Sequence, residues 1–169
     1  MNKYKPNSYY KDIFSINYEK LKESNTKYLL FDLDNTIADN RDKYPSNEVL
    51  ELFNKLKKDF KIILISNGLK HRVKRFGESL DIKYYYFSCK PYKHTYNKII
   101  IDNNINIEEM VCIGDQIYTD IIGANRLNIK SILVDRISNF ESLLTYINRL
   151  RENRLIRKYK VFKRGNYYE

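Results

Sequence analysis

Short apolar runs alternate along the chain with longer stretches in which apolar residues recur at a helical spacing. The apolar runs predict five strands, and the amphipathic stretches between them predict helices. Parallel neighbouring strands need crossover helices and are buried on both faces, so the alternation predicts a mainly parallel five-stranded sheet in a three-layer α/β/α sandwich. The predicted strands cover residues 28–33, 61–65, 84–87, 110–113 and 131–134, and the predicted helices cover 47–58, 70–80, 92–102, 118–127 and a stretch from about 140.

The whole chain is predicted to divide into an arm, one domain and a tail. At 169 residues the chain is long enough for one domain with a sizeable core. Residues 1–25 contain Pro6, scattered aromatic residues and a short predicted helix over 17–23, and we expect them to pack as an arm on the domain. The domain is predicted over residues 26–150, and residues 151–169 are predicted as a basic tail that extends the last helix.

Several classes of protein are disfavoured by the sequence. No stretch approaches the roughly 20 apolar residues needed to span a bilayer, and the first residues lack the apolar segment of a signal peptide, so we expect a cytoplasmic protein. Cys89 and Cys112 are too few for a disulfide framework or a zinc site, and we interpret both as buried, reduced thiols. The five glycines form no phosphate-binding loop of the Walker type.

The net charge of +10 is concentrated near the C-terminus. Between Arg149 and Arg164, eight Lys or Arg residues stand against a single acid, Glu152. A smaller basic cluster around His71, with Lys70, Arg72, Lys74 and Arg75, is interpreted as a solvated helix face.

Three interpretations of the basic C-terminal segment stay open. Apolar residues before it predict a helix with one face packed on the sheet, and the basic continuation is then a solvated helix end. The charges also suit an anionic lipid surface, where each Lys or Arg contributes about 1 kcal/mol. An RNA partner would use the same charges, with aromatic rings stacked on bases. The apolar positions are Phe140, Leu143, Leu144, Ile147 and Leu150, and the rings are Tyr159, Phe162, Tyr167 and Tyr168.

Polar groups follow four of the predicted strands. Because ligands of open α/β sheets bind beyond the carboxyl ends of the strands, these groups form the candidate site. Asp32 and Asp34 are two positions apart along a strand, so their carboxylates point the same way and repel each other unless a cation or a shared proton relieves them. The other groups are Ser66-Asn67-Gly68 after the second strand, Lys90-Pro91 after the third and Gly114-Asp115 after the fourth.

This set of groups indicates metal-assisted phosphoryl transfer. Carboxylates from two strands can hold Mg²⁺, which binds through one or two carboxylates together with phosphate oxygens. One carboxylate can attack phosphorus while its neighbour acts as general acid and base. Lys90 and Ser66 can offset the charge on the transferred oxygens.

The motifs resemble those of the haloacid dehalogenase (HAD) superfamily. Asp32-Leu-Asp-Asn-Thr36 is similar to its first motif, Ser66 to the second, Lys90 to the third and Gly114-Asp115-Gln-Ile-Tyr-Thr-Asp120 to the fourth. The resemblance implies a HAD-like Rossmannoid fold in which Asp32 is the nucleophile and Asp34 the general acid and base. It also implies phosphate binding by Thr36, Ser66, Asn67 and Lys90. Mg²⁺ would be held by Asp32, the backbone carbonyl of Asp34 and Asp115, with Asp120 in support.

The spacing of the motifs leaves no room for a cap domain. Only 29 residues separate Thr36 from Ser66, and 23 separate Ser66 from Lys90. The chain resembles the YqeG-type phosphatases of HAD subfamily III-A, which are related to phosphatidylglycerophosphate phosphatases. That resemblance implies dephosphorylation of this lipid at the inner membrane surface, and it rests on the arm from Pro6, the run His71–Phe76, Cys89-Lys90-Pro91 and the segment from Gly114 to Arg126.

Two other functions remain compatible with the sequence. One is a phosphatase that acts on a soluble nucleotide or sugar phosphate. The other is a ribosome- or RNA-associated binding protein in which hydrolysis is vestigial.

Overall fold

The computed structural model describes residues 3–139, 143–159 and 162–169 and shows one parallel sheet between two layers of helices. The order of the strands across the sheet is β1-β6-β5-β2-β3-β4, and every neighbouring pair is parallel. The strands are β1 (Ser8–Tyr10), β2 (Tyr28–Phe31), β3 (Lys61–Ile65), β4 (Lys83–Tyr85), β5 (Met110–Gly114) and β6 (Lys130–Val134).

The helices cover both faces of the sheet. They are α1 (Tyr18–Glu23), α2 (Asn47–Leu56), α3 (Lys70–Leu80), α4 (Lys93–Asn103), α5 (Ile122–Asn125) and α6 (Leu143–Tyr159). Because successive strand residues point to opposite faces, Leu29 packs in one cluster with Phe53 and Phe76, whereas Leu30 packs in a second cluster with Tyr96 and Ile99. Burial on both faces explains why the central strands are continuously apolar.

The sheet has six strands rather than the five predicted, because the N-terminal arm contributes β1 at the edge beside β6. Tyr9 of β1 is fully buried, and its ring contacts those of Phe162, Tyr167 and Tyr168. Tyr9 and Tyr168 also exchange two backbone hydrogen bonds. The arm and the C-terminal residues therefore pack on one another at this edge of the sheet.

The fourth predicted helix has an irregular start. Residues Ile117–Ile121 form a π-helical turn, and only Ile122–Asn125 continue as α-helix. π-Helical turns often occur at functional sites, because they redirect the side chains that precede a regular helix. Here the turn carries Asp120, one of the predicted site residues.

Helix α6 does not pack as its apolar pattern predicts. Ile147 and Leu150 are 38% and 47% exposed, whereas Arg149 and Glu152 are buried. The buried charges hydrogen-bond to each other and to the β5 loop, so ion pairing decides which face points inward. Phe140 and the side chains of Leu143 and Leu144, which belong to the same predicted face, lie outside the described part of the chain.

Three further observations bear on the predictions. Cys112 is buried as expected, but Cys89 is exposed because it lies in the loop after β4. The predicted domain boundary at residue 150 falls inside the continuous helix α6. No helix among the described residues combines the length and apolar character that a membrane span requires.

Candidate active site

The register of the central strands brings three of the predicted motifs to one edge of the sheet. Phe31, the last residue of β2, lies beside Leu64 of β3 and Ile113 of β5. The residues that follow these three positions are therefore neighbours beyond the carboxyl ends of the strands. The backbone N–H of Asp32 donates to the carbonyl of Ile113 at 2.9 Å, so the hydrogen bonding between β2 and β5 continues as far as the site.

Lys90 lies at the centre of this group. Its side chain is only 2% exposed, and Nζ donates to Asp32 Oδ1 at 2.5 Å, Asp120 Oδ1 at 2.7 Å and the carbonyl of Ile65 at 3.0 Å. Burial alone would lower the pKa of Lys90, but Asp120 and Asp32 together raise it above its usual range. Lys90 is therefore a fixed positive charge between two carboxylates.

Three buried carboxylates lie close together at this position, and two of them contact Lys90. Asp32, Asp115 and Asp120 each offer an oxygen, and these atoms lie within 4.8 Å of one another, which is a geometry that could hold a metal ion. Burial raises the pKa of Asp32 well above its ordinary value, and Asp120 and Asp115 add to the effect of burial against the opposing charge of Lys90. Burial likewise raises the pKa of Asp115 to about 7, although Arg149 opposes the shift. A divalent cation would relieve this repulsion.

The Gly-Asp motif of the β5 loop depends on close packing against Asp120. A Cβ atom at Gly114 would lie 2.4 Å from Cγ of Asp120, so any larger residue would displace that carboxylate. Asp120 Oδ2 also accepts a hydrogen bond from the backbone of Gln116 at 3.1 Å. Asp120, predicted as a supporting residue, is thus a full member of the carboxylate cluster.

Thr36, Ser66 and Asn67 lie beside the cluster with different partners. Thr36 Oγ1 donates to Asp32 at 3.3 Å and approaches Asp115 at 3.4 Å, so it connects two of the carboxylates. Ser66 Oγ accepts from the backbone of Gly68 at 2.9 Å. The Asn67 side chain binds the backbone of Lys90 through both of its polar atoms, at 2.7 and 3.1 Å, and so positions the lysine.

Asp34 is not one of the three clustered carboxylates, although it lines the same cavity as Asp32. It is half-buried, and its Oδ1 accepts from Nε of Arg72 at 2.7 Å. Arg72 also donates to the carbonyls of Asp39 and Asp42, so one guanidinium ties the first motif to α3. Sequence reasoning placed Arg72 on a solvated helix face, and that interpretation is wrong for this residue; His71 beside it is exposed as expected.

Helix α6 supplies a second cation that the sequence interpretation missed. The Arg149 guanidinium contacts the carboxylate of Asp115 and donates to its carbonyl at 2.8 Å. Glu152, also buried, accepts from the same guanidinium at 3.2 Å and from the backbone N–H of Tyr118 at 3.0 Å. Nothing in the local pattern distinguishes Arg149 from the other seven basic residues of its segment, because its partner is 34 positions away.

A cavity of about 390 Å³ opens at this edge of the sheet. Asp32, Asp34, Asn67 and Lys90 line its floor, and α6 forms one wall. A larger cavity of about 640 Å³ lies at the opposite edge, near the first residues of β2, β3 and β4, and the motif residues do not line it. Four of the predicted site residues therefore line the smaller cavity.

Comparison with known proteins is consistent with this geometry. A family model described as HAD-hydrolase-like matches residues 88–139. The probable phosphatase YqeG of Bacillus subtilis is 35% identical over 152 residues, which cover 89% of this chain and 88% of that protein. This chain belongs to the HAD phosphatase family. The match with YqeG includes most of the domain and extends beyond the region of the family model.

Solved structures show the same fold as this HAD phosphatase. A predicted HAD-like hydrolase from Porphyromonas gingivalis has a TM-score of 0.54 at 16% identity and covers 75% of this chain and 98% of its own. A HAD family enzyme from Bacteroides thetaiotaomicron, solved in complex with magnesium and inorganic phosphate, has a TM-score of 0.55 at 14% identity and covers 69% and 98%. As expected from the motif spacing, residues 37–65 contain only α2 and β3, and residues 67–89 contain only α3 and β4.

The contact between Arg72 and Asp34 predicts a specific loss of turnover. In the variant Arg72→Gln, Asp34 loses the partner that fixes its direction, so we expect kcat for p-nitrophenyl phosphate to fall by about tenfold or more. Arg75→Gln, on the same helix over the ring of Tyr44, is the matched control and should keep its kcat. Steady-state kinetics on both folded variants measures the difference. Equal kcat values for the two variants would contradict a role for Arg72 in positioning Asp34.

Proposed function

We propose that this HAD phosphatase is a Mg²⁺-dependent phosphomonoester hydrolase that works through an aspartyl-phosphate on Asp32. The observation that carries the proposal is the grouping of three mutually close carboxylates, Asp32 among them, with Lys90 at an edge of the sheet where Asp32 and Lys90 line a cavity. All three candidate ligands offer carboxylate oxygens, the donor type that Mg²⁺ prefers. The complex of the Bacteroides enzyme with magnesium and inorganic phosphate supports the same assignment.

The roles of the residues follow from their contacts. Asp32, Asp115 and Asp120 would hold the Mg²⁺ ion, which supplies positive charge to offset the phosphoryl oxygens. An oxygen of Asp32 forms a bond to phosphorus as the bond between phosphorus and the ester oxygen breaks, and Asp34 gives its proton to that leaving oxygen. Asp34 then takes a proton from the water that hydrolyses the aspartyl-phosphate. The positive charge of Lys90 favours the ionised form of Asp32 against the effect of burial, and their 2.5 Å contact directs the carboxylate.

Removal of the nucleophile tests this mechanism. Asp32→Asn keeps the shape of the side chain but cannot form the acyl phosphate, so we expect its kcat to fall by about 10³-fold or more. Chelation of divalent metal from the wild type should abolish turnover, and added Mg²⁺ should restore it. Phosphate release from p-nitrophenyl phosphate is the measurement, with Asp102→Asn, at an exposed site beside Lys98, as the control. Turnover by Asp32→Asn at the wild-type rate would refute the mechanism.

We further propose phosphatidylglycerophosphate as the substrate, with phosphatidylglycerol as the product at a membrane surface. Four exposed apolar residues after β3 and β4 support a lipid substrate. We call them the apolar rim: Leu69, Tyr86, Phe87 and Tyr92, which are 56%, 37%, 54% and 67% exposed. Each lies within about four residues of Asn67 or Lys90 along the chain, so a bilayer on the rim would present its headgroups near the cavity.

Basic residues accompany the apolar rim. The ammonium of Lys70 lies 5.6 Å from the ring centroid of Tyr86. The ring of Tyr86 meets that of Phe87 edge-on, with 5.6 Å between the two ring centroids. Lys93 is exposed directly after Tyr92. Apolar side chains that enter the interface, next to cations that attract anionic headgroups, are typical of peripheral membrane proteins. We therefore place the membrane contact at the apolar rim, whereas an anionic lipid surface was one of three open interpretations of the basic C-terminal segment.

Replacement of rim residues tests the lipid substrate. In Leu69→Asp/Phe87→Asp, two apolar contacts become repulsive toward anionic lipid. We expect the ratio of turnover on phosphatidylglycerophosphate in anionic vesicles to turnover on p-nitrophenyl phosphate to fall by about tenfold or more. Ile101→Asp is the matched control, because Ile101 is 78% exposed and lines the cavity at the opposite edge. An unchanged ratio in the rim variant would favour a soluble nucleotide or sugar phosphate as substrate.

The RNA-associated alternative has less support. The rings that would stack on bases are already engaged within the protein: Tyr159 lies 5.0 Å from Tyr4, and Phe162 and Tyr167 lie 5.1 and 5.0 Å from Tyr9. These contacts occupy part of the ring surface on which RNA bases would stack. We therefore favour catalysis at the cavity over a binding role for the C-terminal segment.

A further inference from the structure

Helix α6 covers part of a site that the motif spacing leaves without a cap. Thr145, Ile147, Asn148 and Arg151 line the same cavity as Asp32 and Lys90. Residues 145, 148 and 151 are three positions apart, so they lie along one side of the helix. The wall opposite the reacting groups is therefore built by the C-terminal helix.

The position of α6 is fixed by buried ion pairs. Arg149 joins the helix to Asp115 of the site, and Glu152, which is fully buried, accepts from the backbone of Tyr118 at 3.0 Å and from Arg164 at 3.4 Å. A buried charge that lost these partners would be strongly destabilising, so the network holds the helix in register with the β5 loop. The lining residues of α6 are thus held at a set distance from the phosphoryl site.

Arg151 is the cation of this wall. Lys90, the other cation lining the cavity, is occupied by Asp32 and Asp120. The guanidinium of Arg151 lies 5.8 Å from the ring centroid of Tyr118, and among the described residues no carboxylate comes within salt-bridge distance of it. Asn148 beside it is half-exposed. The wall therefore offers a positive charge and amide hydrogen bonds to the leaving group, the part of the substrate that is bonded to the scissile phosphate.

We propose that α6 forms the leaving-group subsite and that Arg151 binds a second phosphate group carried by the leaving group. The inference rests on the proposed hydrolase function and adds the chemical class of the substrate: a phosphomonoester whose leaving alcohol is itself anionic. Guanidinium binds phosphate oxygens in a bidentate manner, which gives both charge and direction. The phosphodiester of a lipid headgroup and the second phosphate of a soluble bisphosphate share this chemistry.

The test compares substrates on full-length wild type, Arg151→Gln and Arg154→Gln. Arg154 is an exposed arginine on the same helix that does not line the cavity, so it controls for the loss of one positive charge. The three substrates are p-nitrophenyl phosphate, whose leaving group carries no second phosphate, fructose 1,6-bisphosphate, and phosphatidylglycerophosphate in vesicles. The quantity of interest is kcat/KM for each anionic substrate divided by kcat/KM for p-nitrophenyl phosphate.

In Arg151→Gln we expect this ratio to fall by about tenfold, mainly through KM, while Arg154→Gln keeps the wild-type ratio. Arg151→Lys should recover part of the loss, because it restores charge without the bidentate geometry. A fall for the lipid alone identifies a headgroup phosphodiester as the ligand, and a fall for both identifies a phosphate of either source. An equal ratio in Arg151→Gln and wild type, or an equal fall in Arg154→Gln, overturns the proposal.

Failure of the underlying function is seen in a different measurement. Absence of Asp32-dependent hydrolysis of all three substrates by the wild type would overturn both the hydrolase proposal and the subsite. Asp32-dependent hydrolysis with an unchanged ratio in Arg151→Gln would overturn the subsite alone.

Discussion

Repulsion among buried carboxylates is the constraint on which the rest of this structure depends. Asp32, Asp115 and Asp120 lie together beyond the carboxyl ends of two central strands, with little solvent to screen them. Two buried cations oppose this repulsion: Lys90 lies between Asp32 and Asp120, and Arg149 contacts Asp115. Removing one partner from such a network would lower the free energy of unfolding by about 3–5 kcal/mol. The network therefore holds the elements that carry the two cations close to the carboxylates.

This constraint explains local features that the hydrophobic pattern does not. Asn67 clamps the backbone of Lys90, which brings the loop after β4 back to the centre of the sheet. Helix α6 turns its charged side inward and leaves Ile147 and Leu150 exposed, because Arg149 and Glu152 have partners at the β5 loop. As a result, α6 forms one wall of the cavity in a domain that has no cap.

The sequence predicted the features that depend on local patterns. Apolar runs located five of the six strands, and the motifs after them located every member of the carboxylate cluster together with Lys90. The edge strand β1 was missed because only two aromatic residues, Tyr9 and Tyr10, stand together there, whereas the run at β4 has four aromatic residues at positions 84–87. Arg72 and Arg149 escaped because their partners lie 38 and 34 positions away, and long-range pairing has no signature in a single basic stretch. Long-range ion pairs therefore mark the limit of what this sequence could predict.

The central claim is that this cluster of carboxylates is built to take up a divalent cation. Isothermal titration of the metal-free protein with Mg²⁺ tests it without any substrate, using wild type, Asp115→Asn and the surface control Asp102→Asn. The account predicts one Mg²⁺ per chain in the wild type and the control, and affinity at least about tenfold weaker in Asp115→Asn, which has lost one ligand charge. Equal affinity for Mg²⁺ in Asp115→Asn and wild type would contradict it.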